Sequence, residues 1–529
     1  MAYFKVLPNG TRAPAEATGK AFLLSDNWDD WFKFSTLYAL VVFDEDGQRH
    51  SIGGVKIGQF NMADDQRRAD LPDSFDELDE RFFSLGQDDS YYDDLNRLGG
   101  ATRDRVLSAL RDVALDPELF GRALQEKVTG TSLLRSVGRA TVEGQFHRMA
   151  QGGVRLSAYD FSYEAPARGR RKSPPLTLSF TVAPESYPPT NVHVLIGRNG
   201  VGKTTILNNM TQAIVGEDPD EDEVGSFSAA LDDFDDQLFT SLVSVTFSAF
   251  DPFEPLPTPQ DKSQGVRYAY IGLKHVGPGK DGKPRPPKTP EALSVDFGSS
   301  VLICRQGARV GRWRRALEIL QADPIFADAE VENLARAGVE PDEIKVEARR
   351  IFKNLSSGHK IVLLTITRLV ETVEEKTLVL LDEPEAHLHP PLLSAFVRAL
   401  SDLLINRNGV AIIATHSPVV LQEVPQSCVW KIRRTGSHAV AERPDVQTFG
   451  ENVGLLTREV FGLEVTQSGF HKMLRDAVVE LPTHDAIVRK FHNELGDEAR
   501  AIVQGLLAAR DDEDGMHPVS TAATADRRR

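Results

Sequence analysis

The sequence predicts an α/β fold with a mixed sheet, and three observations predict it. The first is a glycine loop, Gly197-Arg198-Asn199-Gly200-Val201-Gly202, set between the apolar run Asn191–Ile196 and the helix-like segment Thr204–Met210. The second is a pair of further apolar runs, Thr377–Leu381 and Gly409–Ala414, each followed by polar residues as at the carboxyl edge of a buried parallel strand. The third is the alternation of helix and strand patterns from Leu355 to Ser417.

The elements follow in chain order. Thr36–Phe43 and Ser51–Gly58 flank Asp44-Glu45-Asp46-Gly47, which predicts a β-hairpin with Asp-Gly in its turn. An acidic stretch, Leu71–Asp94, precedes a helical region from Thr102 to about Met149. Strand-like runs return at Val154–Tyr163 and Leu176–Val182, either side of the basic loop Ala167–Lys172. The region from about Pro252 to Arg350 holds a Pro/Gly/Lys-rich loop, Gly277–Thr289, and helix-like segments at Arg314–Ala322 and Pro341–Ile351. The tail from Asp511 is charged, then Ser/Thr/Ala-rich, a composition that predicts disorder over 511–529. The expected division is an accessory region of unknown role (1–150), a nucleotide-binding core (151–460) with a helical lid insertion at about 252–350, and a C-terminal helical segment (461–510).

Composition narrows the function classes. A chain of 529 residues with 41% apolar and 26% charged residues is ordinary for a globular protein of two or three domains. No run approaches the ~20 apolar residues of a membrane span. The start, MAYFKVLPNGTRAP, has no apolar core with a small-residue cleavage site. A soluble cytoplasmic protein without membrane contact is expected. Cys304 and Cys428 lack metal-ligand spacing and are expected to be reduced thiols. A net charge of −16 excludes bulk nucleic-acid binding. The two basic clusters, Arg168/Arg170/Arg171/Lys172 and Arg309/Arg312/Arg314/Arg315, read as solvated faces, with a local DNA contact as the alternative.

Four motifs carry chemistry. Gly197–Thr204 fits GxxxxGK[ST] in its required setting of strand, loop and helix. Glycines let the backbone N–H groups turn toward phosphates, and the helix presents its positive end. Lys203 is then the β/γ-phosphate ligand and Thr204 a Mg²⁺ ligand. In Thr377–Pro384, Asp382 is placed to hold Mg²⁺ and Glu383 to activate water as general base. Asn354-Leu355-Ser356-Ser357-Gly358-His359-Lys360 opens a helix-like segment, Ile361–Val373, with small polar residues that suit an anion. His416 follows the run Gly409–Ala414, about 34 residues past Asp382.

Four motifs in this order resemble the ABC ATPase superfamily: Walker A, an LSGGQ-like signature, Walker B with a catalytic glutamate, and a switch histidine. The resemblance covers about residues 154–460. It implies an ABC-type ATPase head with mixed sheet, antiparallel β subdomain and helical insertion. It implies ATP and Mg²⁺ as ligands and Gly197, Arg198, Asn199, Gly200, Val201, Gly202, Lys203, Thr204 and Thr205 as the nucleotide loop. Thr204 and Asp382 would be metal ligands, and Lys203, Glu383 and His416 the catalytic set. In that family two heads pack head-to-tail, so Ser356, Ser357 and Gly358 would reach the γ-phosphate of a second copy in a homodimer or higher oligomer.

DEPEAHLHP (Asp382–Pro390) with ATHSP (Ala414–Pro418) is similar to the soluble RecF/SMC/OLD-like ATPases. LSSGHKIVLL (Leu355–Leu364) and TFGENVGLLTREVFGLEV (Thr448–Val465) resemble the Septu-type defence ATPases called PtuA. That likeness implies control of a separate nuclease, HNH type if Septu-like, in antiphage defence, with DNA reached directly or through that partner. The competing readings are a RecF-like ATPase acting on DNA and a slow-turnover ATP-dependent scaffold. One departure stands out: Val243–Asp251 lacks the glutamine that ABC proteins place near the metal, leaving Ser248 or Asp251 as substitutes. The spacer from Thr204 to Leu355 shows no long heptad pattern, which argues against a coiled-coil arm.

Overall fold

The computed structural model describes residues 3–515 apart from 27–32, 64, 154, 155, 157, 167–174, 217–218, 230–237, 249–252, 258–265, 278–284, 307–308, 337–338, 406, 436–437 and 463–468. The basic cluster at 168–172 and Asp251 therefore lie outside the described residues. The chain divides into two compact units, Met1–Gly450 and Glu451–Arg529.

Among the described residues, sixteen strands form three sheets. The first is six-stranded, β5-β1-β2-β3-β4-β6, from β1 (Phe4–Leu7), β2 (Lys20–Ser25), β3 (Leu37–Phe43), β4 (Arg49–Gln59), β5 (Ser74–Phe75) and β6 (Phe82–Gly86). Here β1 and β2 run parallel and the other pairs antiparallel. The Asp-Gly turn joins β3 and β4, with the Asp44 carboxylate accepting from Asp46 N and Gln48 N. Helices over residues 89–150 cover this sheet around a core that includes Tyr91, Tyr92, Phe83 and Phe146.

A three-stranded antiparallel sheet, β10-β7-β8, comprises β7 (Tyr159–Glu164), β8 (Thr177–Val182) and β10 (Ser226–Ala229). The third sheet is seven-stranded, β12-β11-β13-β14-β9-β15-β16. Its strands are β9 (Val192–Ile196), β11 (Ser241–Thr246), β12 (Arg267–Gly272), β13 (Thr377–Asp382), β14 (Val410–Thr415), β15 (Val429–Thr435) and β16 (His438–Glu442). All its pairs are parallel except β15–β16. Strands β9 and β14 are buried at every residue, because a parallel strand between neighbours is covered on both faces. Phe161 and Phe180 of the antiparallel sheet stack at 4.9 Å and share one core with Leu195, Met210, Leu380 and Ile412. Each such fully buried side chain contributes about 1.5–3 kcal/mol.

The helical insertion contains Pro290–Cys304, Arg309–Leu320 and Pro341–Asn354. The 309–315 cluster is not one solvated face. Arg312 pairs with Asp88 at 2.5 Å, Arg315 pairs with Asp402 at 2.6 Å, and Arg314 donates to the Ala335 carbonyl. Helical spacing sends these side chains to different neighbours. In the second unit, Gly469–Glu480, His484–Lys490 and Asp497–Gly515 are helical. The last helix continues past Asp511, so the tail expected to be disordered begins as helix; 516–529 lie outside the described residues. Among the described residues, no helix is long and apolar enough to cross a membrane.

Candidate nucleotide site

The strand order places three loops together. Strand β9 lies beside β14, and β14 beside β13, all parallel, so the glycine loop, Asp382/Glu383 and His416 emerge at the same carboxyl edge. Gly200 and Gly202 have φ of +80° and +103°, which a side chain would strain, and they turn the chain into the helix Lys203–Val215. Arg198, Asn199 and Gly200 are exposed, and Thr204 and Thr205 are partly exposed. Val201 packs into the core.

Lys203 is 4% exposed. Its ammonium donates to the carbonyls of Gly197 at 2.9 Å and Arg198 at 3.1 Å, folding back across its own loop. Burial lowers its pKa, and the charges of Glu383, Asp382 and Glu385 oppose that. These three carboxylates therefore act on Lys203 from the end of β13 and the loop that follows it.

Thr204, Asp382 and Thr246 line one cleft of about 40 Å³. Thr246 ends β11 and pairs in register with Asp382. A hydroxyl, a carboxylate and a second hydroxyl form a hard-oxygen donor set that fits Mg²⁺. Of the expected glutamine substitutes, Ser248 donates its N–H to Thr246 Oγ1 at 3.4 Å. Thr246, three residues inside the run already suspected, was missed because its register with Asp382 is a property of the sheet.

Glu383 sits in the left-handed region at φ +46°, with its N–H held by the Ala414 carbonyl at 2.8 Å. A non-glycine residue held there stores backbone strain that its surroundings must maintain. Glu385, 7% exposed at its side chain, was also missed. Its Oε1 accepts from Thr415 Oγ1 at 2.6 Å and from His416 N at 2.7 Å. The only local hint is its place in DEPEA, two residues past Glu383.

The helix Ser357–Thr372, which opens on the expected signature residues, is capped by Ser356, whose hydroxyl is 2.6 Å from His359 Nδ1. Ser356 and Ser357 are exposed, whereas Gly358 is buried against the loop after Walker B. A Cβ on Gly358 would stand 2.4 Å from the His387 carbonyl oxygen. His359 Nε2 lies 3.0 Å from Asp323 Oδ1, and His389 Nε2 lies 3.5 Å from Asp323 Oδ2. One ligand atom from each of these three residues falls within 4.8 Å of the others, which is close enough for a metal. However, Leu392 N donates to His389 Nδ1, which puts the imidazole proton on Nε2 facing the carboxylate. The cluster is therefore read as a hydrogen-bonded tie between the signature helix and the Walker B loop. Asp323 is far from both histidines in sequence, so spacing could not reveal it.

The chain is 42% identical over 534 residues to protein ea59 of Escherichia phage lambda, covering 97% of this chain and 99% of that protein. Residues 315–422 match the family described as AAA domain, putative AbiEii toxin, Type IV TA system. Among solved structures, the ADP conformation of an ATP-binding cassette of an ABC transporter is 13% identical, with a TM-score of 0.29, covering 59% of this chain and 99% of that one. The SMC head domain from Thermotoga maritima is 13% identical, with a TM-score of 0.26, covering 54% and 99%.

Proposed function

From the premise that the chain belongs to the family of protein ea59 of Escherichia phage lambda, with a P-loop ATPase domain of the ABC/AAA type, we propose that it hydrolyses ATP between two protomers. The observation that carries this reading is the convergence of Lys203, Asp382, Glu383 and His416 at one sheet edge. Lys203 would leave the Gly197 and Arg198 carbonyls for the β- and γ-phosphates. Thr204 and Asp382 would hold Mg²⁺, which neutralises phosphate charge when bound. Glu383 takes a proton from the attacking water, and His416 contacts the γ-phosphate end. The exposed Ser356 and Ser357 are free to close over the nucleotide of a second copy.

Glu383→Gln tests the chemistry. Turnover should fall by about 10²–10⁴ while ATP still binds. Near-normal turnover would remove Glu383 from the role of base.

The biological output proposed for this ATPase is control of a separate nuclease in antiphage defence. A closed dimer contacts ATP from both subunits, and that differential contact can bias a bound partner. Co-purification with the product of the neighbouring gene, and phage challenge with wild type against Glu383→Gln, test it. Full protection by the ATPase gene alone would count against a partner.

A further inference from the structure

Asp323 lies in the helical insertion, 36 residues before His359 in the chain. It caps the short helix Pro324–Asp328, with Oδ1 accepting from Ile325 N at 2.9 Å. The same oxygen lies 3.0 Å from His359 Nε2. Asp323 is 7% exposed and His359 2%, so this contact is shielded from water. The Phe326 ring makes a T-shaped contact with the imidazole at 5.0 Å and covers another side of it.

A carboxylate only accepts, so a neutral His359 ring carries its proton on Nε2. Nδ1 is then an acceptor, and the Ser356 hydroxyl, 2.6 Å away, donates to it. His359 N approaches the same Ser356 oxygen at 3.5 Å, the capping contact of the helix Ser357–Thr372. Asp323, His359 and Ser356 thus form one chain of hydrogen bonds, from the buried insertion to the exposed cap. His389 also approaches Asp323, at 3.5 Å, but its side chain is 51% exposed, where such a contact is worth little. The His359 branch is the stronger of the two.

We propose that Asp323 is a positioning residue for ATP held by a second copy of the chain. Through His359 it fixes Ser356 and the first turn of the helix behind it, the edge that would close over the other subunit's phosphates. Asp323 itself touches no nucleotide. The proposal rests on the two-protomer reading, in which each P-loop uses the edge of the other subunit. Asp323 therefore acts on the site across the interface and not on the one in its own subunit. An edge held in place before closure does not have to be ordered during it, which lowers the cost of assembling the site.

The test places Asp323→Ala on one side of the composite site at a time. Lys203→Ala protein mixed with Ser356→Arg protein gives heterodimers with one intact site, its P-loop from the second chain and its signature residues from the first. Adding Asp323→Ala to the Lys203→Ala chain should lower the recovered turnover at saturating ATP about ten-fold, the size of one lost hydrogen bond to a charged group. Adding it to the Ser356→Arg chain, whose own signature is already out of use, should change turnover by less than about two-fold. Asp323→Ala alone should keep the calorimetric Kd for ATP within about three-fold of wild type. His359→Leu cuts the same chain of bonds at its middle and replaces Asp323→Ala if that variant does not fold, with the same one-sided loss expected. Equal loss from either side, no loss from the first, or a Kd that rises as far as turnover falls would overturn the proposal and leave the two-protomer reading in place. No recovery in the parent mixture would instead remove that reading, and the proposal with it.

Discussion

His416 Nδ1 lies 3.1 Å from Glu385 Oε1 and 3.6 Å from Glu383 Oε1, so this histidine is held nearer to the second carboxylate than to the proposed base. The same Glu385 oxygen accepts from the Thr415 hydroxyl and the His416 N–H. One buried carboxylate thereby fixes the loop after β14 against the loop after β13. Glu385→Ala removes this acceptor altogether. It is expected to lower kcat about ten-fold while ATP affinity changes by less than about three-fold, because the lost contacts position His416 rather than the nucleotide. Steady-state turnover beside calorimetric Kd separates the two; an equal loss in both would assign Glu385 to binding instead.

The exposure of Ser356 and Ser357 leads to a complementation test. Ser356→Arg and Lys203→Ala should each be inactive alone. Mixed in equal amounts with random pairing, half the dimers are heterodimers with one intact composite site each, so activity should recover to about a quarter of wild type if sites fire singly. A protein that is monomeric with ATP bound and whose turnover per protomer does not change with protein concentration would exclude the two-copy site.

Gly358 allows a test of the join between signature and Walker B loop. Its Cβ would meet backbone, the His387 carbonyl at 2.4 Å, which cannot rotate away. Gly358→Ala should cost about 1–3 kcal/mol in urea unfolding and reduce turnover. Gly121→Ala, a helical position where nothing lies within 4 Å of the added carbon, should instead be neutral or stabilising by up to about 1 kcal/mol. Equal behaviour of the two variants would contradict the packing described.

Asp112 sets a pH dependence in the N-terminal core. Burial raises its pKa from 3.8 to about 7, although the Ala114 N–H and Tyr92 hydroxyl partly favour the charged form. The folded state therefore holds this proton more tightly than the unfolded chain. Its contribution to stability is complete below the unfolded pKa near 3.8 and is lost as pH rises through about 7. Denaturant midpoints of wild type and Asp112→Asn, compared from pH 4 to pH 8, should show wild type losing stability relative to the variant until about pH 7, then running parallel. A constant difference across that range would mean that Asp112 does not titrate there.

Local backbone structure was legible in the chain. The glycine loop between strand and helix was legible because its left-handed glycines and the two flanking elements must be neighbours in the chain. Asp382 and Glu383 were legible for the same reason, at the end of a strand whose burial on both faces shows as an unbroken apolar run. The hairpin at Asp44–Gly47 was legible from its turn residues. Tertiary structure alone decided what depends on pairing order. That β9 neighbours β14 brings Lys203 and His416 to one edge, and the β11–β13 register brings Thr246 to Asp382. The Asp323–His359–His389 tie draws on segments far apart in sequence. Arg312 and Arg407 share Asp88, and no sequence spacing encodes that contact. Such contacts are set by which buried surfaces meet, and helix periodicity alone leaves an arginine cluster looking like a solvated face until its partners are in place.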